Sequence, residues 1–201
     1  EPRSTAMSLE KQRVATYADI EALPPNMVGQ ILYGVLYAQP RPAPRHARAS
    51  SILGGELIGP FDQGRDGPGG RILLDEPELH LADHVVVPDI AGWRAERFPN
   101  AAAESQAYLS IAPDWVSEVL SPSTQQIDRT DKLSIYASFG VAHAWYIDPL
   151  AQTLEVLERD GSTYKIARTF KNSDNVCAPP FEAHRFCLAN LWLPSASSTE
   201  S

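Results

Sequence analysis

Pro113-Asp114-Trp115-Val116-Ser117-Glu118-Val119-Leu120-Ser121-Pro122-Ser123-Thr124 is the stretch on which the reading of the fold turns. Prolines bracket the run from Trp115 to Leu120, and aromatic and β-branched residues fill it, so a strand is expected there. Side chains alternate along a strand, which puts Glu118 on one face with Val116 and Leu120. A carboxylate among apolar neighbours is costly to bury unless it meets a cation, a metal or a proton. Just after the strand, Ser123 with Gln126 three residues on has the pattern of a capping box. It opens an expected helix through Lys132, Leu133, Tyr136 and Phe139, with Gly140 placed to end it.

Downstream, Ala144 to Ile147 reads as another strand, stopped by Asp148-Pro149. Thr153 to Arg159 and Thr163 to Phe170 form an expected hairpin around Asp160-Gly161. Upstream, Val85 to Ile90 is a β-branched run with Pro88 late in it, as at a strand end or bulge. There Asp89 would share a face with Val85 and Val87. Residues 91–109 read mostly as connection, with an alanine-rich piece. Arg71 to Leu74 is a short strand candidate, preceded by a loop over 59–70. His46 to Ile58 carries Ala49, Ile52, Leu53 and Leu57 at helical spacing, weakened by Gly54-Gly55. Met27 to Ala38 reads as a hairpin with Gly34 at a turn or bulge, and Ser8 to Ala22 as a short helix ending before Pro24-Pro25.

The order of helix, hairpin, helix, strands, helix and strands implies an α/β (α+β) domain: a mixed sheet flanked by helices, with an N-terminal hairpin. Residues 1–8 read as a flexible start, 9–193 as a single domain and 194–201 as a Ser-rich flexible tail. No repeats occur. With 43% apolar and 21% charged residues, the 201-residue chain can bury a core, and its 17 prolines mark it as loop-rich.

A net charge of −8 argues against a broad basic surface, though a local basic groove can sit on an acidic protein. The two cysteines, Cys177 and Cys187, have no zinc-site spacing and read as a reduced pair or a disulfide. No apolar run reaches the roughly 18 residues of a membrane span, and no signal-peptide stretch opens the chain. A soluble, cytoplasmic protein is the expectation. No G-x-S-x-G elbow and no P-loop occur, which leaves acyl transfer and P-loop nucleotide chemistry without their usual motifs.

Taken singly, the polar candidates have ordinary explanations. Asp89 follows a proline and could make turn or strand-end hydrogen bonds. Lys132 could be a solvated helix lysine, and Tyr136, one turn later on the same face, could pack in the core. Together they are a more specific set. Two carboxylates at the ends of neighbouring strands can hold Mg²⁺, which prefers oxygen ligands, and a nearby lysine can neutralise developing charge.

Val87-Pro88-Asp89, the run Pro113 to Thr124, and Asp128-Arg129-Thr130-Asp131-Lys132 also carry a family resemblance. So do Tyr136, Gly140-Val141 and Trp145-Tyr146-Ile147-Asp148-Pro149. Upstream, Gly34-Val35-Leu36-Tyr37, Pro40-Arg41-Pro42, His46 and Glu76-Pro77-Glu78-Leu79-His80 fit as well. Across residues 25–193 the chain resembles the Uma-type restriction endonucleases, a bacterial group within the PD-(D/E)xK nuclease superfamily. The resemblance implies a restriction-endonuclease-like core and a Mg²⁺ (or Mn²⁺) site for DNA phosphodiester hydrolysis. Asp89 matches the PD aspartate and Glu118 the (D/E) position, both as metal ligands. The superfamily lysine belongs two residues after Glu118, where this chain has Leu120; the resemblance points instead to Lys132, reaching in from the helix. His46, Glu78 and Tyr136 are candidates to line the site, His46 with helix capping as its alternative. The hairpin position that is commonly acidic in the family is Gln30 here. An exposed hairpin edge would suit a homodimer. Two functions follow: a metal-dependent endonuclease acting on DNA, or a nuclease-fold binding or assembly module with little or no turnover.

Overall fold

The computed structural model describes residues 13–99 and 107–194. The expected flexible start, the tail after Pro194, the alanine-rich piece at 101–103 and the beginning of the helix expected from Ser8 lie outside the described residues. In chain order the elements are α1 (Tyr17–Glu21), β1 (Met27–Leu32), β2 (Val35–Pro40) and α2 (Pro44–Leu57), which a π-helical turn, Ile58–Asp62, extends. Then come β3 (Arg71–Asp75), β4 (Leu79–Leu81), β5 (His84–Val86), β6 (Ile90–Arg94) and β7 (Trp115–Val119). A helical segment follows, formed by α3 (Gln125–Ile127), a π-helical stretch Asp128–Lys132 and α4 (Leu133–Ser138). The chain finishes with β8 (His143–Asp148), β9 (Thr153–Asp160), β10 (Thr163–Lys171), β11 (Asn175–Val176) and β12 (Phe186–Cys187).

Six strands form the main sheet, in the order β10-β9-β8-β7-β6-β3. The β7–β8 pair is parallel and the others antiparallel, so the sheet is mixed, as expected. Parallel neighbours need a crossover, and the helical segment from Gln125 to Ser138 supplies it. A second sheet, ordered β2-β1-β5-β4, carries the N-terminal hairpin.

Alternation along β7 and β8 divides the core. Trp115, Val119, Trp145 and Ile147 pack with Leu53 and Leu57 of α2 and with Phe181, Leu188 and Leu191 near the C-terminus. Val116, Leu120, Ala144 and Tyr146 pack on the other face with Ile135 and Tyr136 of α4 and with Leu32, Leu79 and Val86 of the small sheet. Glu118 belongs to this second face, the one the helical crossover covers.

Gly140 ends α4 as its position suggested. Its φ is 80°, its N–H donates to Ala137 O at 3.1 Å, and the Val141 N–H donates to Tyr136 O at 3.0 Å. That is a Schellman closure. The capping box expected at Ser123 does not form. The residue before α3, Thr124, has φ −115° and ψ −22°, without a side-chain cap. The extended backbone that a capping residue needs is missing. The hydroxyls pair instead: Ser121 Oγ lies 3.1 Å from Ser123 Oγ and 3.0 Å from Thr124 Oγ1.

Two expectations about strands are corrected. Val85 to Ile90 is not one strand: β5 pairs with β1 and β4, whereas β6 pairs with β3 and β7. The chain crosses between sheets at Val87-Pro88-Asp89, where the proline has no N–H for a ladder. Asp89 therefore sits at a corner, not on a strand face with Val85 and Val87. And the connection expected from residue 91 begins with strand β6. Ala91 and Gly92 hide it, because tight packing demands small residues there: a Cβ on Gly92 would meet Leu73 Cδ2 at 2.7 Å.

Among the described residues, no helix is long and apolar enough to cross a membrane. Cys177 and Cys187 are both free thiols, which excludes the disulfide alternative in this structure.

Candidate active site

Five parts of the fold converge on a cavity of about 420 Å³. The first turn of α2 brings His46, and β1 brings Gln30. The crossing between the two sheets brings Asp89. The end of β7 brings Glu118, and the π-helical stretch brings Asp128 and Lys132. π-Helical turns inside α-helices recur at functional sites. This one turns Asp128 and Lys132 inward, leaving them 3% and 2% exposed.

Lys132 is thus no surface lysine. Its Nζ lies 2.7 Å from Glu118 Oε1 and 3.4 Å from Asp128 Oδ1, and it donates to Val87 O at 3.1 Å. An ammonium has three protons to donate, and three acceptors surround it. The Tyr136 hydroxyl donates to the same Glu118 Oε1 at 2.6 Å. Tyr136 holds Glu118 from within the core and is not part of the cavity wall. Asp89 is fixed differently. Its Oδ2 accepts the Val119 N–H at 2.6 Å, and its Oδ1 lies 3.3 Å from His46 Nε2. The residue after Glu118 therefore ties the two candidate carboxylates together.

The electrostatics follow from burial and an excess of negative charge. Burial pushes the Glu118 carboxyl up to about 8; Asp128 and Asp89 add to the rise, and Lys132 opposes it. Burial would release the Lys132 proton, but Glu118, Asp128 and Asp89 outweigh it and hold the proton above the usual lysine range. His46 shows the same contest. Burial lowers it, and its hydrogen bond and charge pairing with Asp89 raise it further. Glu76, also on the cavity wall, is raised by burial and by the charges of Asp75 and Asp89.

The structure gathers Asp89, Glu118, Lys132 and His46 at one cavity. Glu78 is elsewhere and is corrected as a candidate lining residue. It accepts the Tyr17 hydroxyl at 2.9 Å and lies 2.7 Å from His80 Nε2. Sequence reasoning missed Asp128 and Glu76 as wall residues. Asp128 had a signal, since it lies one helical turn before Lys132. Gln30 is 2% exposed and its Oε1 accepts the Val87 N–H at 2.8 Å, so it braces the crossing that carries Asp89.

These residues fit a divalent cation by the chemistry of their donors. Carboxylate oxygens are the ligands that Mg²⁺ and Mn²⁺ take, and Mg²⁺ is commonly bound through one or two of them. Burial, with the charges of Asp128 and Asp89, raises Glu118 despite Lys132, and a bound cation would favour its ionised form. Asp89 and Glu118 would hold it.

Comparison with known proteins gives a family and a similar fold. A family described as "Putative restriction endonuclease", Uma2, matches residues 15–189. The crystal structure of a putative nuclease belonging to DUF820, from Anabaena variabilis, superposes with a TM-score of 0.70 at 24% sequence identity. The match covers 88% of this chain and 97% of that one, and at this identity it speaks for the fold. No curated protein matches.

Proposed function

The chain belongs to the Uma2 family of restriction endonuclease-like proteins, and we propose that it is a Mg²⁺- or Mn²⁺-dependent nuclease that hydrolyses DNA phosphodiester bonds. The observation that carries this reading is Glu118: a buried carboxyl on the wall of the cavity it shares with Asp89, 2.7 Å from a buried lysine. A cation held by Asp89 and Glu118 would supply a more acidic water and stabilise charge on the phosphoryl oxygens.

The protein's own groups have defined tasks. Lys132 stays protonated and opposes the negative charge that builds up on the phosphate. Tyr136 and Lys132 fix the Glu118 carboxyl, while the Val119 N–H and His46 fix that of Asp89. Carboxylates held this way need little reorganisation when substrate arrives. Strand β2, at the outer edge of its sheet among the described residues, would take a second copy in a homodimer.

The test is cleavage of single- and double-stranded DNA with Mg²⁺ or Mn²⁺, by wild type and by an Asp89→Ala/Glu118→Ala variant. Cleavage is expected from wild type alone. Equal cleavage by both would refute the assignment. A second reading, a nuclease-fold binding module without turnover, draws on a specific observation. Among the described residues, no three His, Cys, Asp or Glu side chains gather as a ready cation site. Absence of Mg²⁺ or Mn²⁺ binding at millimolar concentration would favour it.

A further inference from the structure

We propose that the cavity receives one nucleotide of a single DNA strand, with Arg41 and Arg45 holding the phosphates on either side; this rests on the nuclease reading above. The cavity wall carries both signs of charge. Glu76, Asp89, Glu118 and Asp128 supply the acidic part of its wall, and Lys132, Arg41 and Arg45 are its only lysine and arginines among the described residues. Lys132 is committed to Glu118 and Asp128. Arg41 and Arg45 are exposed, and among the described residues neither makes an ion pair or a side-chain hydrogen bond. Two unpaired, exposed guanidiniums on the wall of a carboxylate-bearing cavity suit the phosphates flanking a scissile one.

The segment that bears them is pre-ordered. Pro40, Pro42 and Pro44 alternate through it, fixing φ at each and restricting the residue before each. Pro44 opens α2, so Arg45 rides on the first turn of that helix. Arginines presented by a stiff backbone lose less freedom on binding than arginines on a loose loop.

Size and wall chemistry then choose between one strand and two. A cavity of about 420 Å³ has the capacity of a small-ligand site. Its apolar wall includes Pro40, Pro42, Val87 and Leu120, with Leu150, 57% exposed, at its edge. Such a wall can lie against a base and sugar once they are unpaired and unstacked. A duplex instead presents a dense double row of phosphates, about one charge per 1.7 Å of axis, and calls for a broad basic face. A chain with net charge −8 and two free arginines at the site is poorly equipped for that.

The experiment is fluorescence anisotropy with a labelled oligonucleotide, single-stranded or as a blunt duplex, in millimolar Ca²⁺ over a range of salt. The single strand should bind at least about tenfold more tightly. Two phosphate contacts give an expected slope of log K against log salt of about −1.4. In an Arg41→Ala/Arg45→Ala variant that keeps the wild-type melting curve, the slope should fall towards zero and single-strand binding should weaken at least about tenfold. Equal or tighter duplex binding, an unchanged slope in the variant, or no single-strand binding would overturn the proposal. Absence of Mg²⁺- or Mn²⁺-supported cleavage, with the single-strand preference intact, would overturn the nuclease reading and leave this one standing.

Discussion

Glu118 and Glu78 are assembled from similar parts. Each accepts a tyrosine hydroxyl, from Tyr136 at 2.6 Å and from Tyr17 at 2.9 Å, and each lies 2.7 Å from a basic nitrogen, on Lys132 and on His80. The surroundings differ. The Glu118 side chain is 3% exposed and that of Glu78 is 23%. Water can screen Glu78, so its cluster can serve as a surface tie between α1 and the small sheet. Glu118 has no such relief: burial, with the charges of Asp128 and Asp89, raises its proton affinity. Inventory alone therefore does not distinguish a site from a strut. What distinguishes them is whether charge is held where solvent cannot compensate it.

The sharpest way to break this comparison is to remove the buried cation. Lys132→Met should cost about 3–5 kcal/mol of stability, because it strands Glu118 and Asp128 without their buried cation. Adding Glu118→Gln should recover part of that loss. Urea unfolding measures both. A single-variant cost under about 1 kcal/mol, the range of exposed pairs, would place Lys132 with surface lysines.

Smaller, but more specific, is a pH effect in metal-free protein. Glu118 is raised from 4.5 to about 8 on folding, so between those values the folded chain keeps a proton that the unfolded chain has lost. The stability it contributes is complete below pH 4.5 and disappears as pH rises through about 8. Lys132 is also raised and stays charged over that window, so it adds no slope there. Wild-type stability relative to Glu118→Gln should fall across that interval and level off above it. A difference independent of pH would contradict the raised carboxyl. Smaller again is the tyrosine contrast. Tyr136→Phe should cost about 1–3 kcal/mol, the range for removing a hydrogen-bond partner from a buried group, and Tyr17→Phe about 1 kcal/mol or less. Equal costs would erase the difference between the two clusters.

Much of the scaffold was legible in the sequence. Alternation between prolines marked β7, the Asp160-Gly161 turn marked the β9–β10 hairpin, and Gly140 closed its helix as expected. Glu118 was visible as an awkward carboxylate from the same alternation. Asp89 was visible but misplaced, because the change of sheet at Pro88 depends on which distant strands pair with β5 and β6. Strand β6 was illegible for the same reason: its small residues answer to Leu73 and Trp115, not to a local period. Lys132 read as an ordinary helix lysine, and only the family resemblance pointed inward. Its burial comes from a π-helical stretch that leaves no trace in spacing. Glu78 misled because a carboxylate near His80 looks the same in sequence whether or not a cavity lies beside it.

The central claim, that Asp89 and Glu118 together hold a divalent cation, is tested most directly by calorimetric titration of Mn²⁺ into metal-free protein near neutral pH. The account predicts one ion per chain, with protons released as Glu118 ionises, and loss of that binding in both Asp89→Asn and Glu118→Gln while each variant still unfolds cooperatively. Undiminished Mn²⁺ binding in both folded variants, or none in wild type, would contradict it.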